Sequence, residues 1–255
     1  MQLRQPRLAD MVAGVLRERI VQGELKDGEI IGRQDDLLTE FGISKPSMRE
    51  ALRILESEGL ITVLRGNAGG AVIHTPQEHN AAQAITLVLR SRHVRLGDLA
   101  AALSQLEPVC VRMCAQRPDR AETVVPVLHE ANEDIRSRIS QPLEFTRAAR
   151  GFHEQLVRTC GNDTMITLIG TLEAVWSAQE NTWAGGATDQ GAFPSTEMRE
   201  TGVRAHERLI ELIAAGAAGE AERASRKHVE AAQWYALSGN DTTLIDRADP
   251  ASPGR

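Results

Sequence analysis

GISKPSMREALRILESEGLITVLRGNAGGAVI, residues 42–73, decides how the N-terminal part of this chain folds. Ser44 is a good helix N-cap, and Pro46 follows in the first turn, where a missing N–H costs nothing. Met48, Ala51, Leu52 and Leu55 fall at i, i+3, i+4 and i+7, so one face of this helix packs inward. Lys45, Arg49 and Arg53 recur every four residues and make a cationic stripe away from that face. Downstream, Leu60 to Arg65 is rich in β-formers, Gly66, Gly69 and Gly70 make a turn, and Ala71 to His74 return. Upstream, QDDLLTEF supplies Leu37, Leu38 and Phe41 for a supporting helix, with Gly42 at the tight turn between the two. Each part alone is common and would read as a solvated helix beside an ordinary hairpin. In this order they are the sequence form of a winged helix-turn-helix, which lays one helix in the major groove of DNA.

The whole chain has 255 residues, more than one core usually holds, and its 42% hydrophobic content is that of a globular protein. No run approaches the ~18 apolar residues of a membrane span, and MQLRQPRLAD lacks the apolar core of a signal peptide, so a cytoplasmic location is expected. Cys110, Cys114 and Cys160 cannot all pair within one chain and read as buried free thiols. Cys110 and Cys114 share a helix face, which leaves a two-ligand or redox role open.

Charge is unusual for a DNA-binder. The net charge is −6, and residues 1–76 alone carry ten Lys and Arg against eleven Asp and Glu. The positive charge is concentrated instead, with Lys45, Arg49, Arg53 and Arg65 on the expected reading surface. Such a protein holds DNA through few contacts, needs two heads for affinity, and lets go as salt rises.

Residues 1–76 therefore form the expected DNA-binding domain. It opens with a helix over 7–22 whose apolar face holds Leu8, Met11, Val12, Val15, Leu16 and Ile20, closed by Gly23. QEHNA reads as a short polar link. Residues 80–237 have helical period almost throughout and predict an all-α body of six or seven helices, so the fold class is mainly α. Turn signals fall at RPDRA, SQP, CGND, AGGATDQGAFPST and AAGAAGE. The tail, 238–255, is polar with Pro and Gly and is expected to be disordered.

Three histidines fall on the inward stripes of different body helices. His153 lies with Leu156, Val157 and Cys160, His206 with Val203, Ile210 and Ile213, and His228 with Ala224, Ala231 and Tyr235. That is one way to converge on a metal ion; the other reading is three core histidines, each bonded to a neighbour. Arg147 and Arg150 lie near the same site and can pair with an anionic effector, or simply face solvent.

Residues 7–76 resemble the head of the GntR family of bacterial regulators, notably in GISKPSMREALRILESEGLITV followed by RGNAGG. GFHEQLVRTCGNDTM in the body is similar to the FadR-like branch, whose ligand-binding domain is a helical bundle. The resemblance implies a homodimer that binds a short palindromic DNA operator and answers to a small, often carboxylate-bearing effector. It implies that Arg49 contacts DNA, that Ser44 and Ser47 lie near the backbone, and that Gly66 enters the minor groove. Lys45 replaces an Arg and loses its bidentate fork. Asp35 stands where the family usually has Arg, with Arg33 two residues earlier as a substitute. Metal-binding relatives use an Asp and three His. Here the histidines would be His153, His206 and His228, and the Asp position is Ala149. Three imidazoles still suit Zn²⁺ or Ni²⁺, with water or an effector carboxylate completing the shell.

Two other classes are set behind a ligand-responsive regulator, taken as a repressor. A metal-dependent hydrolase would use the same three histidines but needs a general base, and none accompanies them in sequence. A ligand-independent DNA-binding protein would not need so large a histidine-lined body.

Overall fold

The computed structural model describes residues 7–32, 34–64, 70–238 and 243–245. The chain divides into two compact units at Asn80–Ala81.

The first unit holds α1 (Leu8–Val21), β1 (Ile30–Ile31), α2 (Gln34–Phe41), α3 (Lys45–Ser57), β2 (Ile61–Leu64) and β3 (Gly70–Ile73). Met48, Ala51, Leu52 and Leu55 of α3 are all buried, as their spacing requires. They pack with Leu16 and Ile20 of α1 and with Ile61 and Ile73 of the wing. Burying each such large side chain contributes roughly 1.5–3 kcal/mol. Gly42 turns the chain from α2 into α3 at φ +61°. The face of α1 is rotated from the expected one. Ala9 and Ala13 are buried beside Val12, Leu16 and Ile20, while Leu8, Met11 and Val15 are exposed. Alanines let α1 approach α3 closely, and no apolar count could rank them above leucine.

The wing has a third strand that periodicity missed. The order is β1-β3-β2, antiparallel, with Ile31 opposite Ala71 and Ile61 opposite Ile73. Two residues are too short to show a period. Gly70 makes the third strand possible, since its φ is +150° and a Cβ there would lie 3.1 Å from the Ile31 carbonyl oxygen.

The second unit is helical: α4 (Glu78–Ser91), α5 (Leu96–Gln116), the single turn α6 (Arg120–Thr123), α7 (Val125–Ser137), α8 (Pro142–Arg158), α9 (Asp163–Asp189), α10 (Thr196–Ala214) and α11 (Ala218–Leu237). Three expectations are corrected here. QEHNA is not a link, because α4 starts at Glu78. The glycines of AGGATD do not break α9, because Ala184 and Ala187 on either side of them are buried. Part of the tail is ordered: the Leu96 N–H donates to Thr243 and the Ile245 N–H to Val94, and Ile245 is buried. An isolated apolar pair in a polar segment carries too little pattern to foresee this.

α5 and α11 make the most extensive helix pair, around an internal proline. Pro108 has no N–H to give the Ser104 carbonyl four residues back. Arg226 of α11 donates to that carbonyl instead, at 3.1 Å. No described helix is long and apolar enough to cross a membrane.

Candidate nucleic-acid interface and buried histidine site

On α3 the structure leaves Lys45, Arg49 and Arg53 exposed on the face opposite the core. Arg53 lies 3.6 Å from Glu50, a loose pair between two exposed side chains. Ser44 is the N-cap residue, but its hydroxyl meets that of Ser47 at 3.1 Å and caps no N–H. Both hydroxyls therefore lie together at the start of α3. Arg33, Arg65, Gly66 and the side chain of Asp35 lie outside the described residues.

In the body, α8, α10 and α11 bring His153, His206 and His228 together, their nearest ring nitrogens all within 4.8 Å of one another. The His153 ring is parallel to that of His228 at 5.3 Å, and Phe152 stacks on His206 at 3.9 Å. His153 Nδ1 is 2.6 Å from Glu107 Oε1, and His206 Nδ1 is 3.2 Å from Asn132 Oδ1. The Asn132 amide nitrogen donates to the Val203 carbonyl, which leaves its oxygen to accept. Both Nδ1 atoms therefore carry the proton, and both Nε2 atoms present lone pairs. His206 Nε2 and His228 Nε2 are 2.8 Å apart, so His228 supplies the hydrogen between them. A carboxylate or amide at Nδ1 is the kind of partner that fixes the tautomer and orientation of an imidazole, in a metal site or in a core. Burial pushes all three histidines below their ordinary pKa, His153 to about 3, with Arg150 adding to the effect.

A buried charge network backs the histidines. Arg150 Nε is 2.7 Å from Glu180 and a terminal nitrogen is 3.3 Å from Glu173. Burial raises Glu107, Glu173 and Glu180, and the charge of Glu107 helps push Glu173 to about 8. Sequence reading missed all three acids and Asn132. Glu107 and Glu173 were legible only as acids on otherwise inward helical stripes.

The two arginines named with the site separate. Arg150 lines the cavity beside the histidines, committed to its two glutamates. Arg147 does not reach it. It is exposed, pairs with Glu144 at 2.8 Å, and lines a separate cleft between α7 and α8. Three positions along a helix leave two side chains about 60° apart, which suffices here to part them. On α11 the inward stripe carries Ala232; Ala231 is exposed. Arg199, unremarked in the sequence, lines the cavity as well.

Comparison with known proteins fits this geometry. The model described as "Bacterial regulatory proteins, gntR family" matches residues 8–69, and the FCD domain model matches residues 98–231. The chain is 24% identical over 246 residues to the HTH-type transcriptional repressor NanR of Cronobacter sakazakii, covering 92% of this chain and 88% of that one. Against NanR of Escherichia coli K12 it is 24% identical over 242 residues, covering 92% and 87%. Among solved structures, Streptococcus agalactiae GntR superposes with a TM-score of 0.65 at 18% identity, over 88% of this chain and 98% of that one.

Proposed function

The chain belongs to the GntR family of bacterial regulators, with the FCD body of its FadR-like branch, and from that premise we propose a homodimeric repressor released by a small carboxylate. Like its family it is a ligand-responsive, DNA-binding transcriptional regulator and not an enzyme. The proposal adds repression, a twofold partner, a metal ion, a named reading surface and a cytoplasmic location.

α3 enters the major groove, with Lys45, Arg49 and Arg53 toward DNA and Ser44 and Ser47 against the backbone; Arg33, Arg65 and Gly66 complete the contact. Few cations per head call for two heads, and a C2 dimer matches a palindrome. Repression is supported by the name of the NanR relatives.

The observation that carries the body's role is the convergence of the three histidines, two of them held at Nδ1 by Glu107 and Asn132. His153, His206 and His228 would hold Zn²⁺ or Ni²⁺, and the ion would offer an open position to a carboxylate. Ala149 supplies no charge, so the acid nearest the ion would be Glu107, one layer further out at His153 Nδ1.

Zinc titration of the full chain at pH 7.5 tests the reading. The wild type should take up one ion per chain, His206→Ala should lose it, and Ala149→Asp should tighten it. Uptake by none of the three would make the histidines structural. Sedimentation of the same samples should give a dimer, and gel shifts on duplexes selected from a random pool should identify a palindrome.

A further inference from the structure

The cavity beside the histidines is built in layers one helical turn apart. The inner layer is His153 of α8, His206 of α10 and His228 of α11. Next come Ala149, Gly202 and Ala232, each four residues from the histidine of its own helix and so on the same face. Phe145, Arg199 and Tyr235, three or four residues further, form the outer layer. α10 and α11 meet at a short turn with Gly216 at φ +69°, so they run antiparallel. The small residue therefore precedes its histidine on α10 and follows it on α11. This middle layer makes the space: a Cβ on Gly202 would meet nothing within 4 Å. Phe193, Met198 and Tyr235 also line a neighbouring larger cleft, so the cavity and the cleft share a wall.

The outer layer holds a cation without an acid. Arg199 is half-buried, its guanidinium 5.8 Å from the Phe145 ring centre and 5.6 Å from that of Phe193. Its partners are neutral: the Ile139 carbonyl, the Thr196 hydroxyl at 3.2 Å and the Ser195 carbonyl at 3.5 Å. Among the described residues no carboxylate pairs with it, whereas Arg150 in the same cavity has two. Burial lowers its pKa, with no acid acting the other way. A partly desolvated guanidinium with terminal N–H groups to spare suits a carboxylate.

We propose that Arg199 is a second anion anchor and that the effector is a small dicarboxylate, one carboxylate on Arg199 and the other at the histidine end. The proposal rests on reading the body as the effector domain. Size agrees with a small acid, since the cavity measures only about 100 Å³. Span agrees too. Arg199 and His206 are seven residues apart on α10, about 10.5 Å along its axis. A four-carbon dicarboxylate bridges that distance once a bond of ~2–3 Å is added at each end.

The test is calorimetric titration of the full chain, zinc-free and zinc-loaded, with succinate and with monomethyl succinate. The wild type should prefer succinate by at least tenfold. Arg199→Gln should remove that preference, Arg199→Lys should restore part of it, and neither should alter zinc affinity. Gly202→Val, which fills the middle layer without touching any charged group, should weaken both ligands. Equal affinity of the wild type for the two ligands, or a preference that survives Arg199→Gln, overturns the proposal. So does a wild type that binds neither ligand. Zinc uptake and DNA binding in the same preparations then decide separately whether the regulator reading stands.

Discussion

In the head, the charged residues expected to meet DNA stand in solvent on a helix whose other face is wholly apolar. In the body, Glu107, Arg150, His153, Glu173, Glu180 and His206 are all buried. An exposed charge costs almost nothing to keep, because water solvates it with or without a partner. A buried one costs several kcal/mol unless paired, so each buried group in the body is bound up with its neighbours' stability. Function and fold are therefore separable in the head and entangled in the body.

The hardest test of that contrast is Arg150→Met. It leaves Glu173 and Glu180 buried without their cation and should destabilise the body by about 3–5 kcal/mol in urea unfolding. A loss under ~1 kcal/mol would show that the acids are already protonated and the network adds little. Arg49→Ala should do the opposite: weaken operator binding by roughly 1–3 kcal/mol if it reads a base, or lower the salt slope by about one if it meets only phosphate, with the melting temperature unmoved. Gel shifts across a salt series read both, and unchanged affinity at every salt would remove Arg49 from the interface.

The entanglement has a pH signature of its own. Glu173 sits at about 8 in the folded chain against 4.5, so its contribution is complete below about 4.5 and lost as pH rises through 8. His153, near 3 against 6.5, acts the other way: its contribution is present above about 6.5 and lost as pH falls through 3. The trends oppose between pH 4.5 and 6.5. Above that, of these two, only the carboxyl still titrates, so its share is a loss of several degrees of melting temperature in the metal-free protein between about pH 6.5 and 8.5. Glu173→Gln should flatten the curve, and a wild type that gains stability across that window would contradict the assignment. The smallest effect belongs to Arg17, whose exposed pair with Glu58 joins α1 to the end of α3 at 2.6 Å. Arg17→Ala should cost less than about 1 kcal/mol in urea unfolding.

Legibility in the sequence follows the same divide. α3 is legible because its apolar and cationic stripes are separated by helical period, and the structure keeps every one of those residues on its expected face. The three histidines are legible because each sits among apolar neighbours at i+3 or i+4. Their partners are not, since whether Glu107 and Asn132 meet them depends on how α5 and α7 pack, and no spacing within one helix carries that. Arg147 and Arg150 show the limit: they are three residues apart, yet one faces water and the other the cavity. Gly202 and Arg199 escaped notice for a different reason. A glycine that leaves space and an arginine without an acid are defined by what does not touch them.

The pairing of α5 with α11 has a consequence in time. Ser104 waits for Arg226, 122 residues later in the chain, to satisfy the carbonyl that Pro108 leaves open. At a synthesis rate of about 5–20 residues per second, that residue emerges about 6–24 s afterwards. The head closes its own core within its first eighty residues. The growing chain thus completes its reader of DNA well before the last wall of the effector chamber exists. Throughout that interval α5 lacks the helix that makes its most extensive pairing.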